Sequence, residues 1–489
     1  MRWFAIAFVV LFYWRISAQE QIGWRMDRYA SLAGADLNPA WPLSSVYPLR
    51  WEFRLGAASL FIQNDYLFLE SASNIALWNA RSNLRIYARP DIGDVPNLPQ
   101  GAFALDFFQK EVPFQGRTSG SLNGPGLWLR VGEQHAIGLA LSARGWLQAW
   151  RLPDQLGYYT FDANPIGQSI PITPFEITAQ TWREWTLHYS FSWEGWAAQH
   201  VLGVQFKWLR GYESLWLDVP QPMELRRLLG DTVAAPANAE LSAGYTHTIW
   251  SGPDAIFQQP HGRGIGFDIG YARVIHGSRD PWAVRWGVSL VDVGYINYEG
   301  AVSWHSVRLD TARLYTRSPY VGFSRFDEVP TLIRRFSYES LGDSLASYQG
   351  DHYRLWLPTG LSAQVDISIT PWAFVGGMMM IPLPWGVVGS RRNAVLSLNP
   401  RLEHRWGSIT VPFVWYAWQE VHMGLAARFA FVTIGTDHLG SWINSDVYTG
   451  TDVYVSLSLI PFLKGMGMQL GGKRYKKRYK KGRVRCYEF

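Results

Sequence analysis

Apolar and polar positions alternate with period two in segment after segment between residues 49 and 463. In 181–193, Arg183, Trp185, Leu187, Tyr189, Phe191 and Trp193 fall on one face, and Trp182, Glu184, Thr186, His188, Ser190 and Ser192 on the other. Residues 264–276 set Ile265, Phe267, Ile269 and Tyr271 against Gly266, Asp268, Gly270 and Ala272. In 49–64, Trp51, Phe53, Leu55, Ala57 and Phe61 oppose Arg50, Glu52 and Arg54. Segments 283–292, 393–404, 409–417, 421–433 and 451–463 extend the pattern. Such alternation marks β-strands with two unlike faces, and about 14 of them, in a range of about 12 to 16, can be placed. The predicted fold class is all-β.

Several of these strands reach the ~9–11 residues that a tilted transmembrane strand needs. Their second face is small and polar, as a barrel lumen is. Tyr and Trp gather near strand ends (Trp51, Tyr66, Trp182, Trp193, Trp208, Tyr271, Tyr416 and Trp418), where an aromatic girdle lies. No repeat of 40–50 residues marks a propeller. The apolar stretch 372–389 is interrupted by Gly376-Gly377 and by Pro382 and Pro384. A proline in a helix interior costs ~3 kcal/mol or more, so the stretch reads as a strand over 372–381 and a break. Backbone in lipid then requires a closed barrel. The expected architecture is a transmembrane antiparallel β-barrel over 49–464, preceded by a segment, 19–48, that enters it as a plug.

Composition agrees. Charged residues are 17% of the 489, aromatic residues 15% and hydrophobic residues 48%, which excludes a disordered chain. Cys486, the single cysteine, excludes a disulfide framework and a Cys-built metal site. The formal charge of +6 is local: removing the +8 of residues 473–489 and the +2 of Arg2 and Arg15 leaves the body at −4. A basic average made by one terminal tail is no basic groove, and no nucleic-acid partner is expected.

Residues 1–18 read as a signal peptide: Arg2 is the positive flank, Trp3 to Trp14 the apolar run, and Ile16-Ser17-Ala18 the small-residue cleavage site. The run is shorter than the ~20 residues of a membrane span. Export by the general secretory route to a Gram-negative outer membrane, with its lipid as partner, is expected. Residues 465–489 read as a basic periplasmic tail carrying Lys473, Arg474, Lys476, Lys477, Arg478, Lys480, Lys481, Arg483 and Arg485. Two readings of the tail are open: a solvated terminus, or a contact with an envelope partner or an anionic polymer or lipid surface, at ~1 kcal/mol per basic residue.

Two charged triplets stand out within the body. Arg50-x-Glu52-x-Arg54 and Arg401-x-Glu403-x-Arg405 each place three charges on one strand face. An arginine facing lipid at the midplane costs ~2–4 kcal/mol, so both triplets are expected to face the lumen, as packing ion pairs or as a charged constriction. The turn Asn38-Pro39-Ala40 is the candidate plug turn, with a simple turn before strand one as the other reading. The eleven His, from His135 to His438, show neither HExxH nor clustered ligand spacing, and no GxSxG occurs. No catalytic residue, metal or cofactor is therefore expected.

The stretch Ser31-Leu-Ala-Gly-Ala-Asp-Leu-Asn38-Pro39-Ala40 resembles the N-terminal segment of outer-membrane barrels related to the long-chain fatty-acid transporters. Gly264-Ile-Gly-Phe-Asp-Ile-Gly-Tyr271 followed by Trp286-Gly-Val-Ser-Leu-Val-Asp-Val-Gly-Tyr-Ile296, with Gly435-Thr436-Asp437 further on, resembles a family of uncharacterised outer-membrane barrels of the Bacteroidota. The resemblance runs loosely over about residues 25–463 and implies fold and compartment more than substrate. It implies a non-enzymatic transport channel or scaffold of unknown substrate. A component of the gliding or type IX secretion machinery, a secreted soluble β protein and a barrel hydrolase are the other readings.

Overall fold

The computed structural model describes residues 21–45, 49–71, 85–88, 102–108, 114–153, 166–195, 198–230, 232–248, 259–276, 283–316, 329–386, 388–443 and 447–461. The leader and the basic tail lie outside the described residues.

The alternating segments form β1 (Trp51–Asn64), β2 (Phe114–Val131), β3 (His135–Leu152), β4 (Phe175–Glu194) and β5 (Ala198–Val219). The next stave has two pieces, β6 (Glu240–Thr246) and β7 (Gly262–His276), both lying between β5 and β8 (Ala283–Arg308). β9 (Tyr348–Trp356) and β10 (Gly360–Ser368) share a stave, and β11 (Ala373–Pro382) and β12 (Val395–His404) follow. β13 (Gly407–Thr410) with β14 (Phe413–Tyr416), β15 (Glu420–Met423) with β16 (Leu425–Phe429), β17 (Val432–Thr436) and β18 (Gly450–Leu459) complete the wall. β18 returns to β1, from Phe53↔Leu459 to Gln63↔Gly450. The result is a closed antiparallel barrel of 14 staves. Closure leaves no unpaired edge, which is what lipid demands of strands.

The two faces separate as the sequence implies. Leu127, Leu139, Leu187, Phe206 and Phe267 stand in register across β2, β3, β4, β5 and β7. All five point outward and are between 36% and 61% exposed. Their inward neighbours on β4, namely Glu184, Thr186, His188, Ser190 and Ser192, are buried. One end of the barrel has short connections, at 132–134, 369–372, 405–406 and 430–431 and between Glu194 and Ala198. The other has long excursions holding two four-stranded sheets and the helix Val329–Leu341. Outer-membrane barrels place short turns in the periplasm and long loops outside, which sets the orientation.

Three expectations are corrected. β1 and β18 shift register between Arg54 and Gly56. This bulge exchanges the faces, so Phe61 packs inside against Tyr416 at 5.3 Å rather than lying beside Trp51 on the outer face. The expected strand 421–433 is a hairpin, with β16 turning into β17 at Ala430-Phe431. Ala430 takes φ 50° in a turn where glycine or asparagine would be expected. Arg50 and Arg405 lie just beyond β1 and β12 and are exposed at the short-turn end, whereas Glu52, Arg54, Arg401 and Glu403 face inward and are buried.

The outward row makes a direct test. Leu187→Arg should destabilise the folded barrel by about 2–4 kcal/mol in lipid, because the new charge lies in the middle of the apolar band. Urea titration of the protein in vesicles measures it. On a water-exposed face the same change at a half-exposed leucine would leave stability almost unaltered.

Candidate functional site

The N-terminal segment is seated inside the barrel and forms its hydrophobic core: Ile22, Met26, Leu32, Leu37, Trp41 and Leu43 pack on inward apolar side chains of the wall such as Trp128, Val201 and Met380. It carries two short helices, α1 (Ile22–Arg25) and α2 (Ser31–Leu37), and neither has a side-chain cap of its own. The wall supplies the caps. Asp437, just after β17, accepts from the Ile22 and Gly23 N–H groups at 2.8 and 3.2 Å and from the Tyr454 hydroxyl at 3.1 Å. Glu52 on β1 accepts from the Leu32 N–H at 3.0 Å. A carboxylate at a helix N-terminus satisfies orphan donors and meets the positive end of the dipole.

Between the helices, Asp27 bonds the Ser408 hydroxyl and lies 3.6 Å from the Arg428 guanidinium, which covers the Tyr29 ring. Arg28 pairs with Glu403 at 2.9 Å. After α2, the Asn38 side-chain Oδ1 accepts from the Ala40 N–H at 2.9 Å, and its Nδ2 donates to the Gln364 side-chain oxygen at 2.8 Å. Ser289 donates to the Leu37 carbonyl at 2.7 Å, and Arg285 lies 3.7 Å from the centre of the Trp41 ring. Asn38-Pro39-Ala40 thus occupies a notch in the wall. Its floor is made of glycines: a Cβ on Gly203 would overlap Pro39 and Ala40, and one on Gly270 would overlap Asn38.

Around this segment the lumen holds two charge centres. Asp366 receives Arg285 at 3.0 Å and Arg401 at 2.7 Å, and Arg401 also bonds Glu403. Asp292 receives Lys207 at 2.6 Å, Arg144 at 2.8 Å and Arg392, while Lys207 also pairs with Asp268 at 2.7 Å. Asp292 has φ 54° and sits where the β7–β8 register shifts, so it and Val291 both turn inward. Such a conformation costs ~1–3 kcal/mol in a non-glycine residue, offset here by three cations.

The two triplets do not form one ring. Glu52 holds α2, and Glu403 with Arg401 holds Arg28 and Asp366. Sequence reasoning missed Asp437 as a cap, Asp292, and a break in the wall. Between β1 and β2 the pairing steps from Arg54↔Gly126 to Ala57↔Asn123, leaving Leu55-Gly56 across from Gly124-Pro125. Proline has no N–H to give the ladder. A groove of about 590 Å³ opens there, lined by outward Leu122, Leu141 and Trp185 and by inward Asn123, Ser142 and Glu184. Gly124-Pro125-Gly126 inside a long strand was its signal. Among the described residues, no group of three His, Cys, Asp or Glu is placed to hold a metal.

A model of the family of unknown function DUF5723 matches residues 90–437. The chain belongs to that family. This DUF5723 barrel is similar to a monoaromatic hydrocarbon channel, the TodX deltaS2S3 mutant, with 8% identity, 87% of this chain and 93% of that one covered, and a TM-score of 0.40. It is similar to the Pseudomonas putida toluene transporter TodX, with 8% identity, 88% and 94% covered, and a TM-score of 0.38. A Pseudomonas aeruginosa FadL homologue aligns with 10% identity over 89% of this chain and 95% of that chain, with a TM-score of 0.27. No curated protein matches the DUF5723 barrel.

The seat and the charge centre each give a prediction. Gly203→Ala should push the Asn38-Pro39-Ala40 turn out of its notch and raise ion conductance in planar bilayers. Gly116→Ala, whose Cβ meets only Asn64 at 3.5 Å, should not. Asp292→Asn leaves three buried cations short of their anion and should destabilise the barrel by about 3–5 kcal/mol in urea unfolding. Exposed Glu299→Gln should leave stability unchanged.

Proposed function

We propose that this protein is a plugged outer-membrane transporter of small, largely apolar solutes. Residues 21–45 are the plug, and the groove through the wall at Gly56 and Gly124-Pro125 is the exit toward the membrane. The observation that carries the reading is the break itself. Two adjacent strands give up ladder hydrogen bonds beside an occupied lumen, and the gap joins inward polar residues to the apolar outer face. A solute leaving there need not remove the plug from the axis of the barrel. The lining sets its class: leucines, a tryptophan and small residues favour an uncharged body, while Asn123, Ser142 and Glu184 offer only a few polar contacts.

Side chains that fill the groove test this. Ala58→Trp and Ala143→Trp, both at outward positions of the lining, should each reduce uptake of a small uncharged aromatic solute into proteoliposomes by about tenfold or more, as blocking a pocket of this size should. Thermal stability and ion conductance should stay at the wild-type values. Undiminished uptake in both folded variants would refute the groove as the route.

A further inference from the structure

On the outer wall, at the long-loop edge of the apolar band, Arg183 on β4 stands directly across from Arg210 on β5, and Arg210 directly across from Arg263 on β7. Arg263 faces Asn297 on β8, and Asn297 faces Arg354 on β9. Directly opposed residues on adjacent antiparallel strands share a face with Cβ atoms about 4.5–5.5 Å apart, and like charges so placed destabilise the pair. For Arg210 and Arg263 the wall does little to relieve this. Arg263 makes no ion pair or hydrogen bond among the described residues, and Arg210 only lies over the Trp208 ring at 5.6 Å. Arg183 lies over the Tyr212 ring at 5.0 Å, and Arg354 donates to Asn297 at 2.7 Å above the Tyr295 ring. Glu299, two positions nearer the loops, stands across from His352 rather than from an arginine.

We propose that these four arginines hold the phosphates of a bisphosphorylated glycolipid in the outer leaflet. Height, spacing and donor geometry support this. Ten residues toward the short-turn end from Arg183, Arg210 and Arg263 lie Trp193, His200 and Arg273. Trp193 is stacked on His200 at 5.3 Å, and His200 is hydrogen-bonded to the Tyr271 hydroxyl at 2.7 Å. Ten tilted strand residues rise about 26 Å, close to the height of the apolar band of such barrels. The aromatic ladder therefore marks one membrane interface, and the arginine row marks the other. Trp185, Trp208, Ile265 and Phe267, just inside the row, present the apolar surface that acyl chains would cover. Adjacent strands are about 4.8 Å apart, so the row spans about 19 Å, wide enough for two phosphates of one headgroup rather than a single one. A guanidinium presents paired N–H donors that match phosphate oxygens. The anion also removes the like-charge conflict between Arg210 and Arg263. This assignment holds whatever passes through the barrel.

The test is native mass spectrometry of the full-length barrel in detergent, titrated with bisphosphorylated lipid A or its dephosphorylated form. Wild type should retain the former and not the latter. Arg210→Gln/Arg263→Gln should weaken retention by about thirtyfold, and Arg263→Gln alone by about fivefold. Arg210→Lys/Arg263→Lys should fall between wild type and the glutamine pair, since lysine keeps the charge without the fork. The single variant removes an exposed side chain with no ion pair or hydrogen bond among the described residues, so it keeps the test decisive if the double variant does not fold. Equal retention of the two lipid forms by wild type, or undiminished retention by folded Arg263→Gln and the double variant, would overturn the proposal. Displacement of bound lipid by millimolar inorganic pyrophosphate would overturn it too, by showing a free-anion site instead.

Discussion

The structure depends on two short helices capped by the barrel that surrounds them. α1 and α2 have four and seven residues and no capping side chain of their own. Helices of that length are unstable alone, because nucleation fixes several residues before any bond repays it. Asp437 and Glu52 reach in from the wall to take their first N–H groups. The dependence is mutual. A barrel in lipid spends its apolar face on the outside, so its inner face is polar and must be filled or wet. The N-terminal segment fills it, bringing Ile22, Met26, Leu37 and Trp41 to the inward apolar patches and backbone donors to the buried carboxylates.

The same requirement organises the charges. Asp366 joins its ladder neighbour Arg285 to Arg401 two staves away, and Asp292 collects Arg144, Lys207 and Arg392, so strands far apart in sequence are tied together rather than only along the ladder. Such pairs contribute little net stability, because desolvation offsets most of the attraction. Their effect is on register and orientation. Arg285, held by Asp366, is aimed at the Trp41 ring and carbonyl, and Glu403, held by Arg401, is aimed at Arg28. The wall fixes the cations, and the cations fix the segment.

Where the ladder is regular, the sequence was legible. In 182–193 and 264–275 every residue faces as alternation predicts, because an unbroken antiparallel pair keeps its phase. Legibility ends at irregular points. Phe61 is misplaced because the bulge at Arg54–Gly56 exchanges faces downstream, and the hairpin at Ala430-Phe431 is hidden because its turn uses no glycine, proline or asparagine. Glu52, Arg54, Arg401 and Glu403 lie inward and buried, but their partners could not be read from alternation, since Leu32, Arg28 and Asp366 are far from them in sequence. Asp437 was visible only as part of Gly435-Thr436-Asp437. Its work as a cap follows from a contact across more than four hundred residues, for which no period gives a signal.

These dependences bear on how such a barrel can open. Withdrawing the whole N-terminal segment along the axis would uncap both helices at once, break the Arg28–Glu403 pair and leave Glu52 and Asp437 as buried carboxylates without the N–H donors they now hold. Uncompensated buried charges cost several kcal/mol each, and the helices would melt as their caps were lost. The break beside β1 and β2 carries fewer such links. Its ladder bonds are already absent, its floor is glycine and alanine, and Arg54 reaches across it only to the Gly124 carbonyl at 3.4 Å. Moving Arg54 disturbs one long hydrogen bond and its attraction to Asp36, Glu52 and Glu184, whereas moving the segment dismantles the core. A path through the side of the barrel is therefore the one that leaves the fold intact.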